Sequence, residues 1–201
     1  HGPFVCPPEY LSRFQDFRFP LGPAAYDTLE NKPLSHREWA GSAMDKAATG
    51  AIKSPAYFAC NSFVDSEIGR IIEAVDCYAR DDTWVIYTSD HGDQFGAHRM
   101  RGKGAVMYEE TCRIPFMVRP PAGADAWARG VVAEAPVSHL DILPTMRRLA
   151  GMDVPPLYHG QDLSPVLRGE RGDTNRVVPM EFTRFSINHD GFGGYQPIRA
   201  V

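Results

Sequence analysis

The sequence is short of several features that mark common classes of protein. It has only 4 cysteines in 201 residues, and none of them forms a Cys-x-x-Cys pair, which argues against a structural zinc site. No apolar run reaches the roughly 18 residues that a membrane-spanning helix needs. Lysine and arginine (21) are outnumbered by aspartate and glutamate (25), and a net charge of −4 gives no basic excess of the kind that binds nucleic acid.

Three catalytic signatures are missing as well: a P-loop, a dinucleotide-binding glycine fingerprint and a Gly-x-Ser-x-Gly elbow. Ser89, Asp90 and His91 are adjacent in sequence, so their side chains cannot converge into the relay of a Ser-His-Asp triad. Hydrophobic residues make up 43% of the chain, which also contains 18 glycines and 17 prolines. This composition is typical of a globular protein with long loops, and in enzymes such loops often carry the site.

The most informative stretch runs from Thr83 to Lys103. It opens with an apolar run at residues 84–88, short enough for a buried strand, and Asp90 and His91 follow where the strand gives way to a loop. Ligands of open α/β sheets bind at the carboxyl ends of the strands. Neighbouring side chains on a strand point to opposite faces, so these two can share one metal only if the backbone turns, which Gly92 permits.

Helical and strand patterns alternate along the rest of the chain, which predicts an α/β fold. The predicted helices are a short one at 35–49, a long one that begins at Ser54-Pro55, one from Ser138 to Ala150 closed by Gly151, and a single turn at 164–169. The predicted strands are 84–88, 114–119, 131–137, and a hairpin of 176–185 with 195–201.

The long helix carries an apolar stripe on one face. Its members recur at helical spacing, which predicts that the stripe packs on the sheet that holds residues 84–88. They are Val64, Ile68, Ile71, Ile72, Val75 and Tyr78.

Five motifs occur in a fixed order within about thirty residues. They are Ser-Asp-His-Gly-Asp (89–93), Phe-Gly-Ala-His (95–98), Gly-Lys-Gly (102–104), Met-Tyr-Glu-Glu (107–110) and Arg-Ile-Pro (113–115). Together they closely resemble the sulfatases of the alkaline phosphatase superfamily, and are nearest in pattern to phosphonate monoester hydrolases and choline sulfatases. The resemblance implies a mixed sheet with flanking helices at 1–155, leading into a small antiparallel C-terminal subdomain at 156–201. It also implies that the catalytic domain begins upstream of this chain and that the small C-terminal sheet continues downstream of it.

The resemblance implies a role for each candidate site residue. Asp90 and His91 would ligate one divalent cation, most readily calcium, with manganese or another transition metal open. Lys103 would contact the transferred group and the nucleophile oxygen. His98 would lie near the substrate or the outer shell of the metal, or would instead hydrogen-bond the loop together. His1, in the phrase His-Gly-Pro-Phe, would act as general acid toward the leaving group.

Sulfatases of this family use a formylglycine made from a Cys or Ser within a Cys-x-Pro/Ala-x-Arg phrase. None of the four cysteines here fits that phrase, so we expect the nucleophile upstream of this chain and the chain alone to be inactive. The expected reaction is hydrolysis of a small-molecule or saccharide sulfate ester. The alternatives are hydrolysis of a phosphonate monoester or phosphodiester, or a non-catalytic fragment or pseudoenzyme. Neither the compartment nor the oligomeric state follows from the sequence.

Overall fold

The computed structural model describes residues 2–43, 50–184 and 196–201. The chain divides into two compact units. The first comprises residues 1–79, 89–115 and 182–198, and the second comprises residues 80–88, 116–181 and 199–201.

The first unit is mainly helical. Its described helices are α1 (Pro8–Arg13), α2 (Leu34–Ala43), α3 (Pro55–Tyr78) and α4 (Glu109–Cys112), with 3-10 turns at Pro23–Tyr26 and Ala97–Arg99. Two very short strands, β1 (Phe19–Pro20) and β2 (Ala51–Ile52), pair antiparallel. The predicted helix at 35–49 is confirmed as far as Ala43, and residues 44–49 lie outside the described part of the chain.

The long predicted helix is confirmed as α3, with Pro55 in its first turn, where a missing backbone N–H costs nothing. The hydroxyl of Ser54, the N-cap residue, makes no capping hydrogen bond. The first half of α3 packs against the N-terminal segment through an aromatic cluster. In this cluster the Phe58 ring contacts three rings of the N-terminal segment, those of Phe14, Phe17 and Phe19.

The apolar stripe of α3 is less buried than its periodicity predicts. Val64 is 54% exposed, Ile71 is 63% exposed and Tyr78 is 90% exposed. The prediction that this stripe is core is therefore wrong for these three side chains. Helical spacing identifies the apolar side of a helix, but it carries no information about whether another element covers that side.

The core of the first unit lies next to the loop that carries the site motifs. Leu29, Ala40, Met100 and Val106 are buried together, and Trp39 and Tyr108 pack against them. Because Met100 and Val106 stand on either side of Lys103 in the sequence, this core anchors both ends of the segment that bears the lysine.

The second unit contains the predicted central strands. β3 (Val85–Thr88) pairs antiparallel with β4 (Phe116–Arg119), in a register that places Val85 opposite Arg119. A 3-10 turn at His139–Asp141 leads into α5 (Ile142–Leu149), and α6 (Ser164–Leu167) is the predicted single turn. Residues 131–137, by contrast, form no strand. No strand among the described residues pairs with them, so the prediction there is wrong.

Asp141 is the polar centre of this unit and is completely buried. Its carboxylate accepts hydrogen bonds from the Ser138 and Gln161 backbone N–H groups, both at 2.7 Å. The Arg176 guanidinium donates to both carboxylate oxygens, at 2.6 and 2.7 Å. The Ser138 hydroxyl completes a capping box at this helix start, and Gly151 ends α5 with a left-handed φ of 71°.

The predicted C-terminal hairpin is represented by β5 (Met180–Arg184) and β6 (Gln196–Ala200), which pair in one two-stranded sheet. The connection between them lies outside the described residues. Within the described ranges, none of the helices combines the length and the apolar character that a membrane span requires.

Candidate active site

An open cavity of about 810 Å³ lies within the first unit. Its walls come mainly from three stretches of chain: residues 2–5, the start of α3 with the residues just before it, and the loop 89–103. Asp90, His91 and Lys103 all line this cavity. The family resemblance implies metal binding by Asp90 and His91 and contact of Lys103 with the transferred group. The three residues share one concave surface, as a small-molecule site requires.

Asp90 and His91 reach the same cavity because the backbone turns tightly after Thr88. The Ser89 hydroxyl donates to the His91 carbonyl oxygen at 2.9 Å, and the His91 N–H donates to Asp90 Oδ1 at 2.9 Å. In this turn Asp90 Oδ2 lies 3.4 Å from His91 Nε2. The hydrogen bond from the His91 N–H also holds the pKa of Asp90 below its ordinary value, so the side chain is a carboxylate at neutral pH.

Gly92 is required for a reason that the sequence did not indicate. Its N–H donates to the Thr111 carbonyl oxygen at 2.9 Å, and a Cβ at this position would overlap the carbonyl oxygen of Glu110. The glycine therefore allows the loop to lie directly against α4. The turn itself is made by the Ser89 and Asp90 side chains.

The imidazole of His91 is oriented to offer one nitrogen to a cation. His91 Nδ1 lies 2.8 Å from the Gly92 carbonyl oxygen, and since a carbonyl can only accept, Nδ1 carries the proton. The neutral ring then has its lone pair on Nε2, which faces the Asp90 carboxylate. Only a proton or a cation between these two atoms makes that contact favourable, so the pair fits a divalent cation as one oxygen and one nitrogen donor.

Asp90 and His91 are only part of a complete coordination sphere. Across residues 2–43, 50–184 and 196–201, no three or more His, Cys, Asp or Glu side chains converge on a common point. Calcium takes about 6–8 oxygen ligands. The described residues therefore fit a divalent cation as one side of its site, and the remaining donors would come from outside them.

Lys103 is presented by a loop that closes on itself. The Gln94 N–H donates to the Gly102 carbonyl oxygen at 2.8 Å, and Asp93 Oδ1 accepts from the N–H groups of Phe95 and Gly102 at 2.9 and 3.1 Å. Gly102 has a φ of 72°, a left-handed conformation that favours glycine. The Lys103 side chain is exposed to the cavity and makes no hydrogen bond or ion pair to any described residue.

The Asp93 carboxylate therefore holds the two ends of this loop together. Gly104 lies on the other side of Lys103, where a Cβ would come within 2.8 Å of the Trp39 ring. The two glycines that flank the lysine serve different ends, one for backbone conformation and one for packing.

His98 does not line the cavity in this structure. Its Nδ1 lies 2.8 Å from Asp27 Oδ2, its Nε2 lies 3.6 Å from Glu110 Oε2, and its ring stacks on Tyr108 at 3.7 Å between centroids. With both nitrogens facing carboxylates, His98 braces the loop against its neighbours, which supports the second of its two predicted roles. The substrate-binding role stays a prediction. His1 lies outside the described residues, so its role as general acid also stays a prediction.

The cavity contains several residues that the sequence analysis did not select. On α3, Tyr57, Asn61 and Cys60 line it, and Lys53 and Arg101 add two positive charges. Burial, and then the charge of Asp93, raise the pKa of Tyr57, so its hydroxyl remains protonated. The signal that could have found the α3 residues is their spacing of three and four positions, which places them on one helical face.

Comparison with known proteins shows which family the chain resembles. The sulfatase family model matches residues 1–152. An uncharacterized sulfatase, YidJ, from Escherichia coli K12 is 46% identical over 99% of this chain, and the match covers 38% of that protein. A choline-sulfatase from Rhizobium meliloti is 33% identical over 63% of this chain and 24% of its own length. The chain thus spans well under half the length of these relatives.

A solved structure with the same fold is the phosphonate monoester hydrolase of Silicibacter pomeroyi. It superimposes with a TM-score of 0.71 at 23% identity, over 96% of this chain and 42% of that one. This likeness confirms the predicted alkaline-phosphatase-like α/β fold class. With the family match over residues 1–152, it leads to one conclusion: the chain belongs to the sulfatase family.

Proposed function

We propose that this chain supplies one side of the active site of a metal-dependent hydrolase that cleaves sulfate esters with a formylglycine nucleophile located outside the chain. The observation that carries the proposal is the shared cavity of Asp90, His91 and Lys103, with the two prospective metal donors 3.4 Å apart. Membership of the sulfatase family supports the reaction class.

In this proposal Asp90 and His91 hold one divalent cation, most readily calcium, with manganese as the alternative. A carboxylate of lowered pKa provides a charged oxygen at neutral pH, and the fixed tautomer of His91 provides the nitrogen lone pair. When bound, the cation would neutralise charge on the oxygens of the transferred group. The turn at Ser89 keeps both donors in place before any cation arrives, so little reorganisation is needed on binding.

Lys103 would stabilise negative charge on the transferred sulfuryl group. Its ammonium is a compact point charge, and it has no anionic partner among the described residues that would neutralise it. The hydrogen bonds of Asp93 and the burial of Met100 and Val106 fix the loop on both sides. A donor that is preorganised in this way contributes more to the transition state than to the ground state.

A sulfated saccharide is the substrate class we favour. The cavity wall includes the rings of Trp39, Tyr57 and Phe95, which can lie against the apolar faces of a sugar. Lys53 and Arg101 add positive charge suited to a polyanionic substrate. One solved structure of the same fold, BT4656, was determined with its substrate D-glucosamine-2-N,6-O-disulfate.

The second candidate is hydrolysis of a phosphonate monoester or phosphodiester. Its support is the fold likeness to the phosphonate monoester hydrolase, and a half-site of this kind accepts tetrahedral anions of either element. A non-catalytic relative that retains the fold is the third possibility, and it is an outcome of the same experiment.

The test uses the full-length protein that contains this chain. The kcat/KM values for 4-nitrophenyl sulfate, a 6-O-sulfated glucosamine and a phenyl phosphonate monoester are compared, with calcium and with manganese. Asp90→Asn is the test variant, and Asp125→Asn, an exposed carboxylate in the second unit, is its matched control. We expect preference for the sulfate esters and a loss confined to Asp90→Asn. Preference for the phosphonate supports the second candidate, and no turnover of any of the three contradicts both.

A further inference from the structure

Two cysteine side chains lie close together beside the cavity, and one of them lines it. The thiols of Cys6 and Cys60 are close enough to interact electrostatically, and both cysteines are partly buried. Cys60 lines the cavity directly, and Cys6 directly follows residues 2–5, which also line it. Neither thiol has a part in the proposed hydrolysis.

Aromatic contacts hold the two segments together on both sides of the thiol pair. Before Cys6, the Phe4 ring meets the Tyr57 ring edge-on with centroids 5.3 Å apart. After it, the Tyr10 ring contacts Phe63 at the same distance, and the Tyr10 and Ser66 hydroxyls are 2.7 Å apart. The N-terminal segment therefore follows α3 in register, and this register brings Cys6 opposite Cys60.

We propose that Cys6 and Cys60 form a reversible disulfide, which makes the cavity wall a site of thiol-redox modification. The bond would tie the segment of residues 2–5 to α3 and fix the width of the cavity on that side. The other two cysteines lie elsewhere. Cys77 is exposed near the C-terminal end of α3, and the Cys112 thiol lies 3.7 Å from the Met107 sulfur.

The oxidant in this proposal is a low-molecular-weight disulfide such as glutathione disulfide. The Cys60 thiolate, which faces the cavity, attacks one sulfur of the oxidant, breaks its S–S bond and releases one thiol. The Cys6 thiolate then attacks the mixed disulfide at Cys60 and releases the second thiol. Two protein thiols are oxidised and one disulfide is reduced, with the two protons passing to the released thiols.

The order of these two steps follows from the surroundings of Cys6. Burial, followed by the contact with Cys60, raises the pKa of the Cys6 thiol. Cys6 is therefore poorly reactive toward an oxidant in solution, and it reacts when the mixed disulfide is formed beside it.

The test treats the full-length protein with glutathione disulfide, blocks free thiols by alkylation and maps the peptides by mass under non-reducing conditions. We expect the peptides of Cys6 and Cys60 to be joined and both thiols to be lost from the alkylated pool. Dithiothreitol should restore both. In Cys6→Ser, Cys60 should stop as the mixed disulfide with glutathione, whereas Cys77→Ser and Cys112→Ser, the matched controls, should still form the bond.

Two results would overturn the proposal: full alkylation of both cysteines after treatment, or a Cys60–glutathione adduct in the wild-type protein with Cys6 still alkylated. Because the readout is a covalent bond, it does not depend on turnover. Failure of the proposed hydrolase activity and failure of this inference are therefore separate results.

Discussion

Two aspartates of the loop 89–103, here called the site loop, look alike in sequence but make different contacts through their carboxylates. Asp90 accepts one backbone N–H through Oδ1 and keeps Oδ2 directed at His91 Nε2. Asp93 accepts two backbone N–H groups through a single oxygen and so closes the loop before Lys103. A charged ligand is needed at the first position, whereas at the second position an uncharged acceptor of the same shape is sufficient.

This difference predicts opposite outcomes for one substitution made at both positions. Asp90→Asn should weaken binding of the divalent cation by more than the roughly 10–100-fold that is typical of changes outside the ligand set. Asp93→Asn should leave cation affinity within a few-fold of wild type, because the amide oxygen can still accept both N–H groups. Calorimetric titration of the full-length protein with calcium or manganese measures both. Equal losses would show that Asp93 also acts as a ligand.

Lys103 gives a prediction about rate. Lys103→Ala should lower kcat about 10²–10³-fold, or roughly 3 kcal/mol, because the lost interaction stabilises charge that develops in the transition state. Lys103→Arg should recover only part of the rate, since a planar guanidinium does not replace a compact ammonium. Steady-state kinetics on the preferred sulfate ester test this. A change in KM with kcat unchanged would place the lysine in ground-state binding instead.

At the scale of elements, the sequence predicted best where a pattern acts through neighbours along the chain. The positions of β3, β4 and α6 and the start of α3 follow from short apolar runs and from local start and stop residues. The prediction of a strand at 131–137 was wrong because a strand forms only when another strand pairs with it. The prediction that the apolar stripe of α3 is buried was wrong for a similar reason. Whether a helix face is buried depends on the elements that cover it, and periodicity does not identify them.

The candidate site, too, could be predicted from the sequence only where the contacts follow from local motifs. The motifs at 89–93 and 102–104 predicted that Asp90, His91 and Lys103 would come together, and they line one cavity. The approach of Gly92 to Glu110 and the thiol pair of Cys6 and Cys60 join segments far apart in sequence. Such contacts are set by packing, and no local pattern indicates them.

The approach of the site loop to α4 gives a prediction about stability. Gly92→Ala should destabilise the protein by about 1–3 kcal/mol, because its methyl group would overlap the Glu110 carbonyl oxygen and backbone atoms would have to move. Gly41→Ala is the control: it lies in α2 with open space around it, and the change should stabilise by about 0.5–1 kcal/mol. Urea unfolding measures both, and equal effects would contradict the packing argument.

The buried pair of Asp141 and Arg176 gives a prediction about pH. Burial by itself raises the pKa of Asp141, but the hydrogen bonds from Arg176, Gln161 and Ser138 outweigh it and hold the pKa below its ordinary value. A carboxyl with a lowered folded pKa adds stability above its unfolded pKa of about 3.9, and that stability is lost as the pH falls through the folded pKa.

Asp141→Asn should therefore cost about 3–5 kcal/mol at neutral pH, because it leaves the Arg176 charge buried without its partner. The difference between variant and wild type should shrink as the pH falls below about 4. Urea unfolding of both proteins between acidic and neutral pH measures this. A difference that does not depend on pH would show that the carboxylate charge contributes nothing.

At the scale of the whole molecule, the chain spans 38% of the length of its Escherichia coli relative, and its described residues provide two cation donors in one cavity. Two donors satisfy only a minority of the roughly 6–8 ligands that calcium takes. The 201-residue chain by itself should bind calcium only weakly, with a dissociation constant of about 10⁻³ M or above, and should turn over no sulfate ester. The full-length protein should bind the cation far more tightly, and Asp90→Asn should weaken both. Parallel calorimetric titrations of the chain and the full-length protein test this. If the chain alone bound calcium as tightly as the full-length protein, the cation site would be complete within these residues. The proposal that its ligands come from two parts of the protein would then be wrong.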